Sequence, residues 1–139
     1  MPNLNKLVAK LQQDYPNLTF VPGPRATFHP PHAIIYPSDA SPLLLLHELG
    51  HYIIHQTDFS SDIQLLRIEA DAWEQAKHLA DQYQIKWDED FAQAKLDSYR
   101  DWLHNASLCS VCQINGYQSG QYYHCPLCGK KWQNTLQAE

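Results

Sequence analysis

Apolar residues recur with a helical period in three stretches of the chain. Residues 3–15 carry apolar side chains at i, i+3, i+4 and i+7 and end before Pro16, which predicts an amphipathic helix. The same period predicts longer helices over residues 62–84 and 88–104. The candidate core positions of these two helices are Ile63, Leu66, Ala70, Trp73, Ala76, Ala80, Phe91, Ala94, Leu96, Tyr99, Trp102 and Leu103.

A fourth helix, over residues 42–55, is expected to be central and buried. Ser41 is a good N-cap, and Pro42 is tolerated at the first helical position. Residues 43–46 are all leucine, so this helix is apolar around its whole circumference. Before it, short β-type runs alternate with prolines, which predicts a small sheet of short or edge strands. The predicted strands cover residues 19–21, 26–28 and 33–36.

The pattern changes after residue 106. Residues 107–133 hold all four cysteines and show no helical period, and residues 134–139 are mostly polar. We therefore expect a helical domain over residues 1–106, a cysteine-rich module over 107–133 and a polar tail over 134–139. The whole chain has 139 residues, which by length alone is one domain with room for a core.

Charge and hydropathy narrow the classes of function. A formal net charge of −5 argues against a surface that follows a phosphate backbone throughout, although it does not exclude a local basic patch. The sequence has no apolar run of about 20 residues and no secretory signal pattern. We therefore expect a cytoplasmic protein without membrane contact. In that reducing compartment, the cysteines are expected to be metal ligands or free thiols.

The segment His-Glu-Leu-Gly-His at residues 47–51 carries the clearest chemical signal of the helical part. Residues four apart share one face of a helix, so His47 and His51 can bind the same Zn²⁺ ion. Glu48 lies beside that ion as the candidate catalytic base that activates a zinc-bound water. Gly50 lets a neighbouring element approach closely. The alternative is a buried helix with two satisfied histidines, which would be costly without a partner.

A third ligand is expected on the helix predicted over residues 62–84. Glu69 follows the second histidine after eighteen residues, enough for a loop and an antiparallel return. Two histidines and a glutamate with one open position are the ligand pattern of catalytic zinc. Asp71 and Glu74 on the same helix stay open as alternatives.

Other residues near the site are either not expected to bind the ion or have a role that the sequence does not decide. His55 is not expected to bind the ion, because on a continuous helix it lies about 12 Å along the axis from His47. The residue that stabilises the oxyanion stays open among Tyr36, Tyr52, His32 and His78. We expect a substrate strand to pair with an edge strand near Ala33–Tyr36.

Two Cys-x-x-Cys motifs, one at Cys109 and Cys112 and the other at Cys125 and Cys128, are separated by twelve residues. This spacing is typical of a zinc site with four thiolates, which leaves no open position, so we expect this second zinc to be structural. Gly129 follows the last cysteine, where such a knuckle often needs a positive φ. A thioredoxin-type redox motif is the alternative, and the pairing of two motifs argues against it.

The cysteine-rich module is also rich in aromatic residues, namely Tyr117, Tyr122, Tyr123 and Trp132. With Lys130 and Lys131 these side chains resemble a nucleic-acid platform. We favour the other interpretation, that they form the small core of the module. Four thiolates around one zinc add a charge of about −2, which cancels the two lysines.

The motifs together resemble a known family. The segment LLLLHELGHYIIH at 43–55, followed by EADAWEQA at 69–76, is similar to the ImmA/IrrE metallopeptidases, and FHPPHAIIYP at 28–37 resembles the strand before their active-site helix. The resemblance covers residues 20–80 approximately. It implies a zinc-dependent endopeptidase that cuts a protein partner, often a regulator. By position, it implies His47, His51 and Glu69 as ligands and Glu48 as catalytic base.

These observations give one working hypothesis. The expected fold class is α+β, with a zincin-like helical domain, a small N-terminal sheet and a C-terminal zinc ribbon. The expected function is hydrolysis of peptide bonds in a protein or peptide substrate, with one catalytic and one structural Zn²⁺. The ribbon is similar to that of the SprT-like proteases, so a DNA-associated protease is one alternative. A non-catalytic module that binds two zinc ions is the other.

Overall fold

The structure is a computed structural model that describes residues 4–55 and 58–133, so the predicted polar tail lies outside the described residues. The fold is mixed α+β, as expected. Its helices are α1 (Leu4–Asp14), α2 (Pro42–Ile54), α3 (Asp62–Gln82) and α4 (Glu89–Ala106). Its strands are β1 (Thr19–Pro22), β2 (Thr27–His29), β3 (Ala33–Tyr36), β4 (Tyr117–Ser119), β5 (Tyr122–His124) and β6 (Lys131–Gln133).

The chain divides into two compact units. The first comprises Met1–Thr57 and Ile68–Glu89, and the second comprises Asp58–Arg67 and Asp90–Glu139. Helix α3 therefore begins in the second unit and continues into the first. The predicted start of the cysteine-rich module near residue 106 stays a prediction. In the described part of the chain, each helix is too short or too polar to cross a membrane.

Local signals in the sequence set the ends of α2. The Ser41 side chain accepts a hydrogen bond from the backbone N–H of Leu43 at 3.2 Å, which satisfies one of the free donors at the helix start. Pro42 begins the helix, where its missing N–H costs nothing. The helix ends at Ile54, and His55 caps it in the left-handed region at φ 54°.

The sheet of the first unit has the strand order β1-β3-β2, with β1 parallel and β2 antiparallel to β3. The expectation that Ala33–Tyr36 forms an edge strand is wrong, because β3 is the central strand. Residues of β3 are the most apolar of the sheet, and Ile34 is fully buried. Pro22 ends β1, an edge strand, which is where a strand tolerates proline.

The buried face of α3 differs from the predicted one. Ile63 is 65% exposed, whereas Ile68, Ala72 and Leu79 are buried although the pattern did not select them. The reason is that the buried face includes the charged residue Glu69, so a search for apolar residues alone selects the wrong set of positions on the first turns. On α4 the pattern was right for Leu96, which is buried, and wrong for Ala94, which is exposed.

The second unit contains an antiparallel sheet of order β4-β5-β6. Tyr123 on β5 is almost fully buried and stacks on Trp132 with ring centroids 5.9 Å apart. The Trp132 indole N–H donates to the carbonyl of Ala106 at 2.8 Å, which fixes β6 to the end of α4. Tyr123 and Trp132 therefore pack as the core interpretation expects, while Tyr117 stays 58% exposed.

Candidate metal centres

Helix α2 presents His47 and His51 on one face. Their ring centroids are 4.6 Å apart, as expected for residues one turn apart on a helix. The leucines Leu45, Leu46 and Leu49 on α2 are fully buried, so the helix sits in the core and carries the two imidazoles into it. The His47 side chain is 9% exposed and that of His51 is 14% exposed.

Glu69 of α3 faces both imidazoles. Its Oε2 atom lies 2.9 Å from Nε2 of His47, and its Oε1 atom lies 3.2 Å from Nε2 of His51. The two alternatives that the sequence left open lie elsewhere. Asp71 is exposed, and Glu74 is 65% exposed and pairs with His78 at 3.6 Å. Of the three carboxylates, the structure brings Glu69 to the histidines.

Gly50 explains how α3 can come so close to α2. A Cβ atom at Gly50 would collide with the carbonyl oxygen of Ala72, on the turn of α3 that follows Glu69. The sequence predicted that a neighbouring element comes close to the chain at Gly50, and that element is the backbone of α3. This close packing of two helices is what lets the short Glu69 side chain reach both histidines.

The donor set fits a metal ion. One donor atom from each of His47, Glu48 and His51 lies within 4.8 Å of the others, and the Glu69 carboxylate contacts Nε2 of both histidines. Ligands about 2.0–2.1 Å from a tetrahedral zinc are about 3.3 Å from one another. The measured separations of 2.9 and 3.2 Å between Glu69 oxygens and the two Nε2 atoms are close to that value. Two imidazoles and one carboxylate are also a common ligand set of catalytic zinc.

The same side chains perturb one another's ionisation. Burial opposes a charge on His47, but the Glu48 and Glu69 carboxylates outweigh it and raise its pKa to about 9. Burial likewise opposes a charge on Glu69, and its contacts with His47 and His51 lower its pKa to about 2. Without a metal, both pKa shifts therefore favour the charged forms, an imidazolium at His47 and a carboxylate at Glu69.

Trp73 is a part of the site that sequence reasoning treated only as a core residue. Its ring lies over the His47 imidazole with centroids 4.3 Å apart and planes 9° from parallel. Trp87 in turn meets Trp73 edge to face at 6.2 Å. The signal in the sequence was the spacing, because Trp73 follows Glu69 by four residues and so shares its face of α3.

The structure also gives the positions of the other residues that the sequence analysis considered near the site. His55 lies beyond the last turn of α2, which continues unbroken past His51, and its ring contacts that of Tyr52. Tyr52 also contacts Phe28 of β2. His78 lies nine residues after Glu69, which is about 13 Å along the axis of α3 and too far for a role at the histidines. Tyr36 is buried in β3, and His32 is exposed before it.

The second candidate metal centre is formed by the four cysteines. Their sulfur atoms all lie within 4.8 Å of one another, and none is in a disulfide. Cys109 and Cys125 are buried, whereas Cys128 is exposed. The Sγ atoms of Cys109 and Cys128, which belong to different motifs, are 3.8 Å apart. The spacing of the two motifs thus predicted correctly that they meet at one point.

The two motifs fold as matching knuckles. In each, the first cysteine's N–H donates to the carbonyl five residues later, at Ile114 in one knuckle and Lys130 in the other, both at 2.8 Å. In each, the residue after the second cysteine has a positive φ, 58° at Gln113 and 76° at Gly129. The sequence predicted this conformation at Gly129. It gave no signal at Gln113, since glutamine rarely adopts it.

Backbone donors act on the sulfur atoms. The N–H groups of Leu127 and Cys128 both donate to Sγ of Cys125 at 3.4 Å. These bonds favour the thiolate and lower the pKa of Cys125 to about 7. The neighbouring sulfur of Cys128 acts in the opposite sense on Cys112 and raises its pKa to about 12. The Cys125 thiol therefore ionises more readily than the Cys112 thiol.

Comparison of the chain with protein-family models, with curated proteins and with solved structures finds no match.

Proposed function

We propose that this protein is a zinc-dependent endopeptidase that hydrolyses peptide bonds of a protein partner. The observation that carries the proposal is the convergence of His47 and His51 on the carboxylate of Glu69, with Glu48 beside them. A carboxylate next to a site of two histidines and one glutamate is the arrangement that metal-assisted hydrolysis requires. The resemblance to the ImmA/IrrE metallopeptidases and a zincin-like fold are part of this proposal.

Each residue has a role in the proposed reaction. His47, His51 and Glu69 would hold the ion through two imidazole nitrogen atoms and the Glu69 carboxylate. Zinc bound there would polarise the scissile carbonyl and lower the pKa of a water molecule. Glu48 accepts the proton of the attacking water on its carboxylate and passes it to the leaving amine. Its side chain is 12% exposed, so it keeps access to solvent.

The sheet offers a place for an extended substrate. Strand β2 is an edge strand that contacts α2, and its Phe28 packs against Tyr52, the residue after His51. A peptide that adds to the free edge of β2 would be held by backbone hydrogen bonds beside the metal ligands. The substrate strand is thus proposed at β2 in place of the central strand β3.

The four cysteines are proposed as a structural zinc site. Four thiolates leave no position open for a substrate. Of the ribbon's aromatic residues, Tyr123 is buried and Trp132 is bound to α4, so these two serve packing. Lys131 lies over the ring of Tyr122 at 4.1 Å, so its charge is directed at the ribbon's own surface. These contacts favour a structural role over recognition of nucleic acid.

The test is the substitution Glu48→Gln in the full chain. Bound zinc is counted by elemental analysis, and cleavage is followed by mass spectrometry of new N-termini in a peptide library prepared from cell protein. We expect two zinc ions per chain in both proteins and a loss of cleavage of about 10²–10⁴-fold in the variant. Glu74→Gln on the exposed face of α3 is the matched control and keeps full activity.

Two other outcomes would replace the proposal. Equal cleavage by the Glu48→Gln variant would show that Glu48 is not the base. Absence of cleavage by the wild-type chain with both zinc ions bound would favour the non-catalytic two-zinc module. The DNA-associated alternative is tested by mobility shifts at increasing salt, because binding through phosphates weakens steeply with ionic strength.

A further inference from the structure

His47 lacks the contact that usually fixes a histidine ligand. Such a histidine binds the metal with one ring nitrogen and donates the other N–H to a carboxylate or carbonyl, which holds the ring in place. In this site Nε2 of His47 faces Glu69, so Nδ1 is left for the second contact. Nδ1 is buried and has no hydrogen-bond partner among the described residues. The closest carboxylate oxygen, Oε1 of Glu48, is 3.4 Å away.

Trp73 supplies a different restraint on the same ring. The two rings are nearly parallel, at 9°, with centroids 4.3 Å apart, which is a stacking contact. The indole is itself fixed, since it is 3% exposed and meets Trp87 edge to face. A flat, immobile surface beside the imidazole keeps its plane from tilting. Tilting would turn Nε2 away from Glu69.

We propose that Trp73 is a positioning residue that orients the His47 imidazole by stacking, in the role that a hydrogen bond to Nδ1 has in other histidine ligands. The proposal rests on the proposed metal site. It assigns the orientation of the ring to Trp73 because the Oε1 atom of Glu48, at 3.4 Å from Nδ1, is farther away than in a usual hydrogen bond. It also gives the four-residue spacing of Glu69 and Trp73 a function. One turn of α3 carries the ligand Glu69 and the residue that orients the ligand His47.

The test compares metal affinity in full-length variants. Co²⁺ is titrated into protein whose cysteine site already holds zinc, and its absorption reports the histidine site, which is assigned with His47→Ala. Trp73→Phe keeps a flat ring and should keep the wild-type affinity. Trp73→Leu keeps an apolar side chain without a flat face, and should bind about 10–100-fold more weakly, as when an outer contact of a ligand is lost.

A control separates orientation from stability. Leu79→Ala also removes a buried side chain of α3, but ten residues, or about 15 Å of helix, beyond Glu69. It should lower the melting temperature without weakening Co²⁺ binding. Unchanged affinity in Trp73→Leu, or an equal loss in Leu79→Ala, would overturn the proposal. If Trp73→Leu fails to fold, Trp73→Met takes its place with the same expected loss.

A spectroscopic readout tests the stacking itself. Protons of an imidazole that lies over an indole ring are shifted upfield by the ring current, so the His47 ring protons of the wild type should resonate upfield of those of His51. The shift should persist in Trp73→Phe at reduced size. Its absence in the wild type would overturn the inference. If the wild type binds no more metal ions than His47→Ala does, the proposed metal site is refuted instead.

Discussion

The two candidate metal centres are held in place by different means. The histidine site lies where two long helices pack, and its surroundings are leucines, isoleucine and alanines that are buried whether or not an ion is bound. The cysteine site lies in a ribbon of three-residue strands, and two of its few buried side chains, Cys109 and Cys125, are ligands themselves. The histidine site lies in a hydrophobic core that does not depend on a metal. In the ribbon, the cysteine ligands and their metal take the place of such a core. Metal removal should therefore affect them differently.

The largest expected effect is the loss of the ribbon when metal is removed. Structural zinc is worth about 10–16 kcal/mol of apparent binding free energy in small domains that fold around it. A chelator, or Cys125→Ser, should abolish amide protection from hydrogen exchange in residues 107–133. Helices α1 to α3 should keep their circular dichroism signal.

The control for this experiment is Ser110→Ala, in the first knuckle but not a ligand, which should keep the ribbon folded. Persistent protection of the ribbon amides after chelation would show that Tyr123 and Trp132 suffice as a core, and the contrast between the two sites would disappear.

The next effect concerns the affinity of the histidine site. Glu69→Gln preserves the shape of the side chain but removes its charge, so Co²⁺ binding there should weaken by more than the roughly 100-fold seen for outer contacts. The fold should persist, because α2 and α3 are held by apolar packing and by the backbone contact at Gly50. Thermal melting and Co²⁺ titration measure the two properties separately. Glu74→Gln is the exposed control, and an equal loss there would contradict the assignment of Glu69.

A smaller effect is expected from Gly50→Ala. On an open helix this change is stabilising, by up to about 1 kcal/mol. Here the added methyl group meets the carbonyl of Ala72, which cannot move without shifting α3, so we expect a destabilisation of about 1–3 kcal/mol. Urea unfolding measures it, and Co²⁺ affinity should fall as well. A more stable variant would mean that the helices pack less closely than the structure shows.

The smallest effect is a pH dependence of the zinc-free protein. The pKa of His47 is raised from 6.5 to about 9, so its stabilising contribution is complete below pH 6.5 and is lost as the pH rises through 9. The pKa of Glu69 is lowered from 4.5 to about 2, so its contribution is complete above pH 4.5 and is lost as the pH falls through 2. Melting temperatures should therefore decrease on both sides of a window from pH 4.5 to 6.5.

His47→Gln, which carries no charge at any pH, serves as the reference for this profile. Its melting temperature should lack the decline between pH 6.5 and 9. If the variant and the wild type follow the same profile in that range, the ion pair contributes nothing to stability.

Local chemistry in the sequence was sufficient for much of this molecule. Helical periods, the Ser41 cap and the prolines predicted the four helices and the strands of the first sheet to within a few residues, because each depends on neighbours in the chain. The spacing of His47 and His51, and of the two cysteine motifs, likewise indicated two groups of ligands. Glu69 was predicted as the third ligand, with Asp71 and Glu74 as alternatives that the sequence alone gave no distances to exclude.

The rest depended on contacts between distant segments. The sequence did not show that β3 is the central strand or that Ile63 faces solvent. The contact of Glu69 with the histidines depends on the close packing of α3 on α2 at Gly50. The stacking of Trp73 on His47 has the same origin. The sequence by itself determined which residues can bind a metal, because spacing along one helix or knuckle fixes that. Only the tertiary structure decided which side chains complete and orient the site, because they come from an element that sequence spacing does not place.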